Sequence, residues 1–280
     1  MRLRLAGALV LALLCAAFDS ASALELSGPV TQGGLIIGRV EPGATVALEE
    51  RAIRVAPDGR FLIGFGRDHG PRARLVVTTP DGRATRHTLA VAKRRYDIQR
   101  IEGLPAKLVT PDVETQKRIE DDRAEIRAAR SIETPELHFA IRFAWPASGP
   151  ISGVFGSQRI LNGEARAPHL GLDIAAPEGA MVRAAAAGRV VLAHEDMVLS
   201  GMTLLLDHGH GLTTSYIHLS QILARAGEFV AEGAPIARVG KTGRTTAAHL
   251  HWGVNLFDVA LDPALRVSGP AEAAEAETKN

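Results

Sequence analysis

Two short segments far apart in the chain constrain it most: His169-Leu170-Gly171-Leu172-Asp173 and His249-Leu250-His251. In a β-strand the side chains alternate between faces, so residues two or four apart point the same way. Extended geometry predicts His169 and Asp173 on one face, and His249 with His251 on one face of another strand. A fold that joins the two segments gathers two imidazoles and a carboxylate, with a further histidine to spare. That donor set suits a catalytic zinc, which takes three protein ligands and leaves the fourth position to water. Such a site implies a metallohydrolase.

The 280 residues leave room for two domains, and a net charge of +1 gives no electrostatic case for nucleic acid. Met1-Arg2-Leu3-Arg4 is basic, Ala6 to Phe18 is uncharged and mostly apolar, and Ala21-Ser22-Ala23 is an A-x-A cleavage site. Residues 1–23 therefore read as a secretory signal peptide, and the mature chain is expected in the periplasm or outside the cell. The apolar run is too short for a stable membrane span; an uncleaved anchor is the alternative. Cys15, the only cysteine, lies within this segment, and Leu14 before it argues against lipidation. Cleavage leaves no thiol, which excludes disulfides and cysteine-ligated metal.

Residues 24–105 read as a small antiparallel β domain of sandwich type. Gly33-Gly34, Pro42-Gly43, Pro57-Asp58-Gly59 and Pro80-Asp81-Gly82 mark turns between the β-rich runs 35–37, 45–48, 61–63 and 75–77. Residues 106–142 form a connector with a charged helix from Thr110 to about Ser131. Thr110 is its expected N-cap, Pro111 its first position, and Ile119 and Ile126 its thin apolar stripe. Residues 143–267 read as a second, glycine-punctuated antiparallel β domain, and 268–280 as a disordered tail. The fold class is thus mainly β.

The second domain resembles the lysostaphin-type zinc metallopeptidases, whose catalytic module is also called the LytM domain. The resemblance spans roughly Pro150 to Leu265. It covers Gly153-Val154-Phe155-Gly156, the His169 to Asp173 motif, Asp207-His208-Gly209, Tyr216-Ile217-His218-Leu219 and the stretch from Gly240 to His251. It implies the duplicated β architecture of that family, one zinc ion per chain, and His169, Asp173 and His251 as its ligands. By the same carry-over, His218 and His249 match the two catalytic histidines, without dividing acid from base between them. Departures are Ala247-Ala248 where the family has Gly-Pro, Trp252-Gly253 where it has Phe-Glu, and the stretch from Ser157 to Pro168.

What the resemblance implies is an endopeptidase acting on peptide cross-links or stem peptides of peptidoglycan. The rival expectation is an inactive relative that activates a separate cell-wall amidase; members of that group lack several of these ligands. A carboxypeptidase acting on small substrates is the third. Other residues carry two readings each. Asp207 is either an acceptor behind a ligand histidine or a turn carboxylate. His208 and His210 either rim the groove or tolerate turn backbone. His194-Glu195-Asp196 is either a second metal site or a solvated loop, and the loop is favoured. Arg244 either contacts a substrate carboxylate or is a solvated surface residue. His69, His87 and His138 read as structural or solvated.

Overall fold

The computed structural model describes residues 24–101, 112–139, 142–161 and 163–269. The expected signal peptide and nearly all of the expected tail lie outside these residues. Before the helix run β1 (Glu25–Ser27), β2 (Leu35–Arg39), β3 (Thr45–Leu48), β4 (Arg51–Ile53), β5 (Arg60–Gly64), β6 (Arg72–Thr78), β7 (Ala84–Ala90) and β8 (Ile98–Ile101). The helix α1 (Val113–Arg130) follows. Then come β9 (Ile151–Gly153), β10 (Gln158–Leu161), β11 (Glu164–Ala165), β12 (Leu172–Ile174), β13 (Met181–Arg183), β14 (Gly188–Met197), β15 (Gly201–Asp207), β16 (Leu212–Ile222), β17 (Phe229–Val230), β18 (Pro235–Val239), β19 (Leu250–Leu256) and β20 (Val259–Leu261). The expected mainly β class is what the structure shows.

In the N-terminal region a sheet ordered β1-β2-β5 and a sheet ordered β4-β3-β6-β7 carry the expected apolar runs. Ile36, Phe61 and Ile63 of the first meet Val46, Leu75 and Val77 of the second in one buried core, which is the packing of a sandwich. The last strand leaves this unit: β8 pairs in parallel with β10, Gln158 opposite Ile98. Leu35 and Leu62 also join the core of the second β region.

Helix α1 begins later than its sequence suggests. Asp112 is the N-cap, its carboxylate accepting from the Thr115 N–H at 2.8 Å; Thr110 and Pro111 lie outside the described residues. Ile119 is buried as expected, while Ile126 and Ala129 pack with Leu192, Met197 and Leu205 of β14 and β15. Among the described residues no helix is long and apolar enough to cross a membrane.

The large C-terminal sheet is antiparallel and runs β17-β14-β15-β16-β19-β12-β9. Along β19, Leu250, Trp252, Val254 and Leu256 point into the core, and Tyr216 of β16 lies opposite Trp252. Burying each such side chain stabilises the fold by roughly 1.5–3 kcal/mol. The same alternation turns His251 to the other face. The Tyr216 hydroxyl is fully buried, accepts from the Ala185 N–H at 2.9 Å and lies 3.1 Å from the Thr214 hydroxyl. Tyr216→Phe should therefore leave a buried N–H unpaired and lower stability by about 1–3 kcal/mol with activity retained, measurable by denaturant unfolding.

Candidate metal centre

Strand pairing, more than side-chain attraction, assembles the site. Antiparallel β12 and β19 put Asp173 directly opposite His251. His169 is not on a strand with Asp173, as uniform extended geometry predicts. The chain bends at Gly171 and β12 starts only at Leu172. His169 is instead tied to the loop after β9: its N–H donates to Ser157 O at 2.8 Å and its carbonyl accepts from the Gly156 N–H at 2.7 Å. It reaches Asp173 from outside the strand.

Three donor atoms form a tight triangle. His169 Nε2 lies 3.0 Å from Asp173 Oδ1 and 2.9 Å from His251 Nδ1, and His251 Nδ1 lies 2.8 Å from Asp173 Oδ1. One ion sitting about 2.0–2.2 Å from each donor can reach all three, because every edge is shorter than twice that length. Among the described residues this is the one group of three with such spacing. Two glycines make the crowding tolerable: a Cβ at Gly171 would lie 2.4 Å from His251 Nε2, and one at Gly153 would lie 2.3 Å from Asp173 Oδ2.

His249 and His218 stand beside the triangle. His249, two residues before His251, keeps Nε2 3.6 Å from Asp173 Oδ1, so the shared face expected for the pair is present. His218 follows Ile217, which pairs with His251, so regular alternation would turn it away. A bulge reverses this. Tyr216 and Leu219 pair with Leu204 and Met202, so Ile217 and His218 of β16 oppose the single Thr203 of β15, and His218 adopts φ +62°. Its ring centroid then lies 4.9 Å from His249 and 6.3 Å from His251.

Backbone carbonyls fix the imidazole tautomers. Nδ1–H of His169 donates to Val154 O at 3.0 Å, that of His218 to Thr242 O at 2.8 Å, and that of His249 to Ala247 O at 3.0 Å. In each ring this leaves the Nε2 lone pair as the acceptor or donor toward a metal or substrate. Burial lowers the pKa of His218 to about 4, and the adjacent His249 and His251 act in the same direction. Burial also dominates at His251 and lowers it. At Asp173 burial opposes ionisation, but the bonds from His169 and His251 outweigh it and hold the carboxyl well below its usual range. At His169 burial is outweighed in turn by the bond and charge of Asp173, so its pKa is raised. The carboxylate thus stays charged and available to a cation.

The side chains of His169, Asp173, His249 and His251 remain 17–23 % exposed, so the site is open to water and to a ligand. The carbonyls of Val154, Thr242 and Ala247 are the acceptors that side-chain identity does not reveal. Asp207 is not among them: it accepts from the Thr134 hydroxyl at 2.6 Å and from the Gly209 N–H at 3.0 Å, as a turn carboxylate does. His208 is fully buried, donating from Nδ1 to Ala187 O and accepting at Nε2 from Thr214, and burial lowers its pKa to about 4. His210 sits in the same turn at φ +53°. His194-Glu195-Asp196 is not the expected loop but the end of β14, facing the helix: His194 lies 3.8 Å from Glu125 of α1, and Asp196 pairs with Arg118. Arg244 is exposed. His138 meets Phe229 at a tilt, and His69 meets Phe65 edge-on.

Comparison with known proteins follows the same segment. A family model, peptidase family M23, matches residues 167–263. The chain is 33 % identical over 155 residues to the peptidoglycan DD-endopeptidase ShyB of Vibrio cholerae, which covers 55 % of this chain and 35 % of that protein. It is 34 % identical over 119 residues to the murein hydrolase activator EnvC of Escherichia coli, covering 42 % of this chain and 27 % of that protein. The matches thus span about a third of the length of these relatives. A crystal structure from Pseudomonas aeruginosa, described as a peptidase M23, superposes with a TM-score of 0.64 at 29 % identity over 87 % of this chain and 95 % of that one. Residues 167–263 are thus a peptidase M23 domain of the LytM type.

Proposed function

We propose that this chain is a zinc endopeptidase, exported from the cytoplasm, that hydrolyses peptide bonds in peptidoglycan. The observation that carries the reading is the convergence of one compact N₂O donor triangle and two further imidazoles on a single, partly open point. In this reading His169 Nε2, Asp173 Oδ1 and His251 Nδ1 hold one zinc ion per chain. The residues fit the ion: two imidazoles and one carboxylate match a catalytic zinc set, and the site is open to a fourth ligand. Zinc bound there would supply Lewis acidity, polarising the scissile carbonyl and acidifying water.

The protein's own groups handle the protons. His218 and His249 both present Nε2 as a lone pair with Nδ1–H committed to a backbone carbonyl. A neutral imidazole so oriented takes a proton from the attacking water and returns one to the leaving amine. Asp173, kept charged by its two histidine bonds, orients both ligand imidazoles. We assign residues 143–267 as the catalytic unit, 24–105 as a β domain attached to it and 106–142 as the connector. The similarity to EnvC, named a murein hydrolase activator, favours a second reading in which the chain binds and activates a separate hydrolase. The complete set of five site residues speaks for catalysis, and the zinc content of the purified chain separates the two.

The zinc-loaded chain should cleave defined muropeptides, each product pair gaining one water in mass. His251→Ala should lose both zinc and turnover. His249→Ala should keep its zinc while turnover falls on the order of 10²–10⁴-fold, the usual contribution of a positioned proton-transfer group. Equal zinc loss in the two variants would make His249 a ligand and sink the division of roles. Backbone strain at His218 gives an independent check. A left-handed residue other than glycine costs about 1–2 kcal/mol, so His218→Gly should melt above His218→Ala although both are inactive. If His218→Ala melts at or above His218→Gly, the strained conformation is not that of the protein in solution.

A further inference from the structure

The loop that holds His169 is itself held by the N-terminal region. Val154, Gly156 and Ser157 make the three backbone contacts to His169 described above. On its other side the loop meets residues before the helix. Arg67 Nε donates to Gly156 O at 2.8 Å, and its side chain reaches Gln158 Oε1 at 3.3 Å. The Gln158 N–H donates to Asp97 O at 2.9 Å, where the β8–β10 pairing begins.

Tyr96 fills the centre of this contact. Gly156 adopts φ +86°, and a Cβ built on it would lie 2.0 Å from the Tyr96 ring. The ring also meets Phe155 edge-on at 6.3 Å. Two guanidiniums lie over it, Arg67 at 4.7 Å and Arg94 at 5.4 Å. Arg94 is anchored by Asp262, 2.7 Å away and almost completely buried. The Tyr96 hydroxyl is buried with no hydrogen-bond partner among the described residues. The flat ring, not the hydroxyl, therefore does the packing.

We infer that Tyr96 is a positioning residue for His169: its ring, held by the Arg67 and Arg94 guanidiniums, presses on Gly156 and fixes the loop that sets the orientation of the His169 imidazole. This rests on the reading of His169 as a metal ligand. It makes the N-terminal β region a structural part of the metal centre. A group that orients a ligand from behind typically changes metal affinity when removed.

The test uses the full chain, with zinc affinity measured by competition against a chromophoric chelator and the visible spectrum of the cobalt(II)-substituted protein read beside it. Tyr96→Ala should bind zinc about 10–100-fold more weakly and shift the cobalt spectrum, while Tyr96→Phe, which keeps the ring, should match the parent in both. A folded Tyr96→Ala chain with the parent's affinity and spectrum overturns the inference, as does an equal loss in Tyr96→Phe. Should Tyr96→Ala fail to fold, Tyr96→Leu replaces it, with the same expected loss and the same overturning result. His169→Ala run in parallel separates the two claims. If it loses zinc while Tyr96→Ala keeps it, the positioning role of Tyr96 alone is wrong; if His169→Ala itself keeps zinc, the ligand reading fails and the inference with it.

Discussion

The pairing of Asp173 with His251 across β12 and β19 is the constraint on which the site depends. A sheet face is set by register, and a slip of one residue turns every side chain of a strand to the other side. In β19 such a slip would carry Trp252, Val254 and Leu256 out of the core and drive His251 into it. The burial of Leu250, Trp252, Val254 and Leu256 therefore also fixes where His251 stands. Core stability and donor geometry are one property of one strand, so the register itself brings the Asp173 carboxylate to His251.

Against this regular frame, the irregular features fall where chemistry needs a side chain that alternation would misplace. His218 is the clearest case. Its left-handed backbone and the extra residue in β16 cost on the order of 1–2 kcal/mol, a small sum beside the burial of Tyr216 and Leu219 that flank it. The bulge turns the imidazole toward His249. Three backbone carbonyls, at Val154, Thr242 and Ala247, then decide which nitrogen of each ring faces the site. The residue that accepts such a proton need only place its carbonyl correctly, so an alanine serves at 247.

The periodicity of the chain reveals much of this and misses a definable part. The runs at 35–37, 45–48, 61–63 and 75–77 lie within observed strands because alternation and turn glycines are local signals. The shared face of His249 and His251 is legible for the same reason. His169 is not, because its position comes from hydrogen bonds to a loop distant in sequence and from a bend at Gly171, where the crowding against His251 leaves room for no Cβ. His218 is invisible to any periodic reading, since a bulge is a departure from period two. The pairing of β8 with β10 joins residues 60 apart, and neither segment announces its partner. The placement of Tyr96 against Gly156 follows from that long-range pairing and is equally hidden.

The central claim is that two imidazoles and one carboxylate hold a catalytic zinc, with His218 and His249 beside it and not bound to it. X-ray absorption at the zinc edge of the loaded protein tests this most directly. The account predicts one zinc per chain in nitrogen and oxygen coordination, with two imidazoles and an average distance of about 2.0–2.1 Å. A shell with three or four imidazoles would place His249 or His218 on the metal and contradict the account.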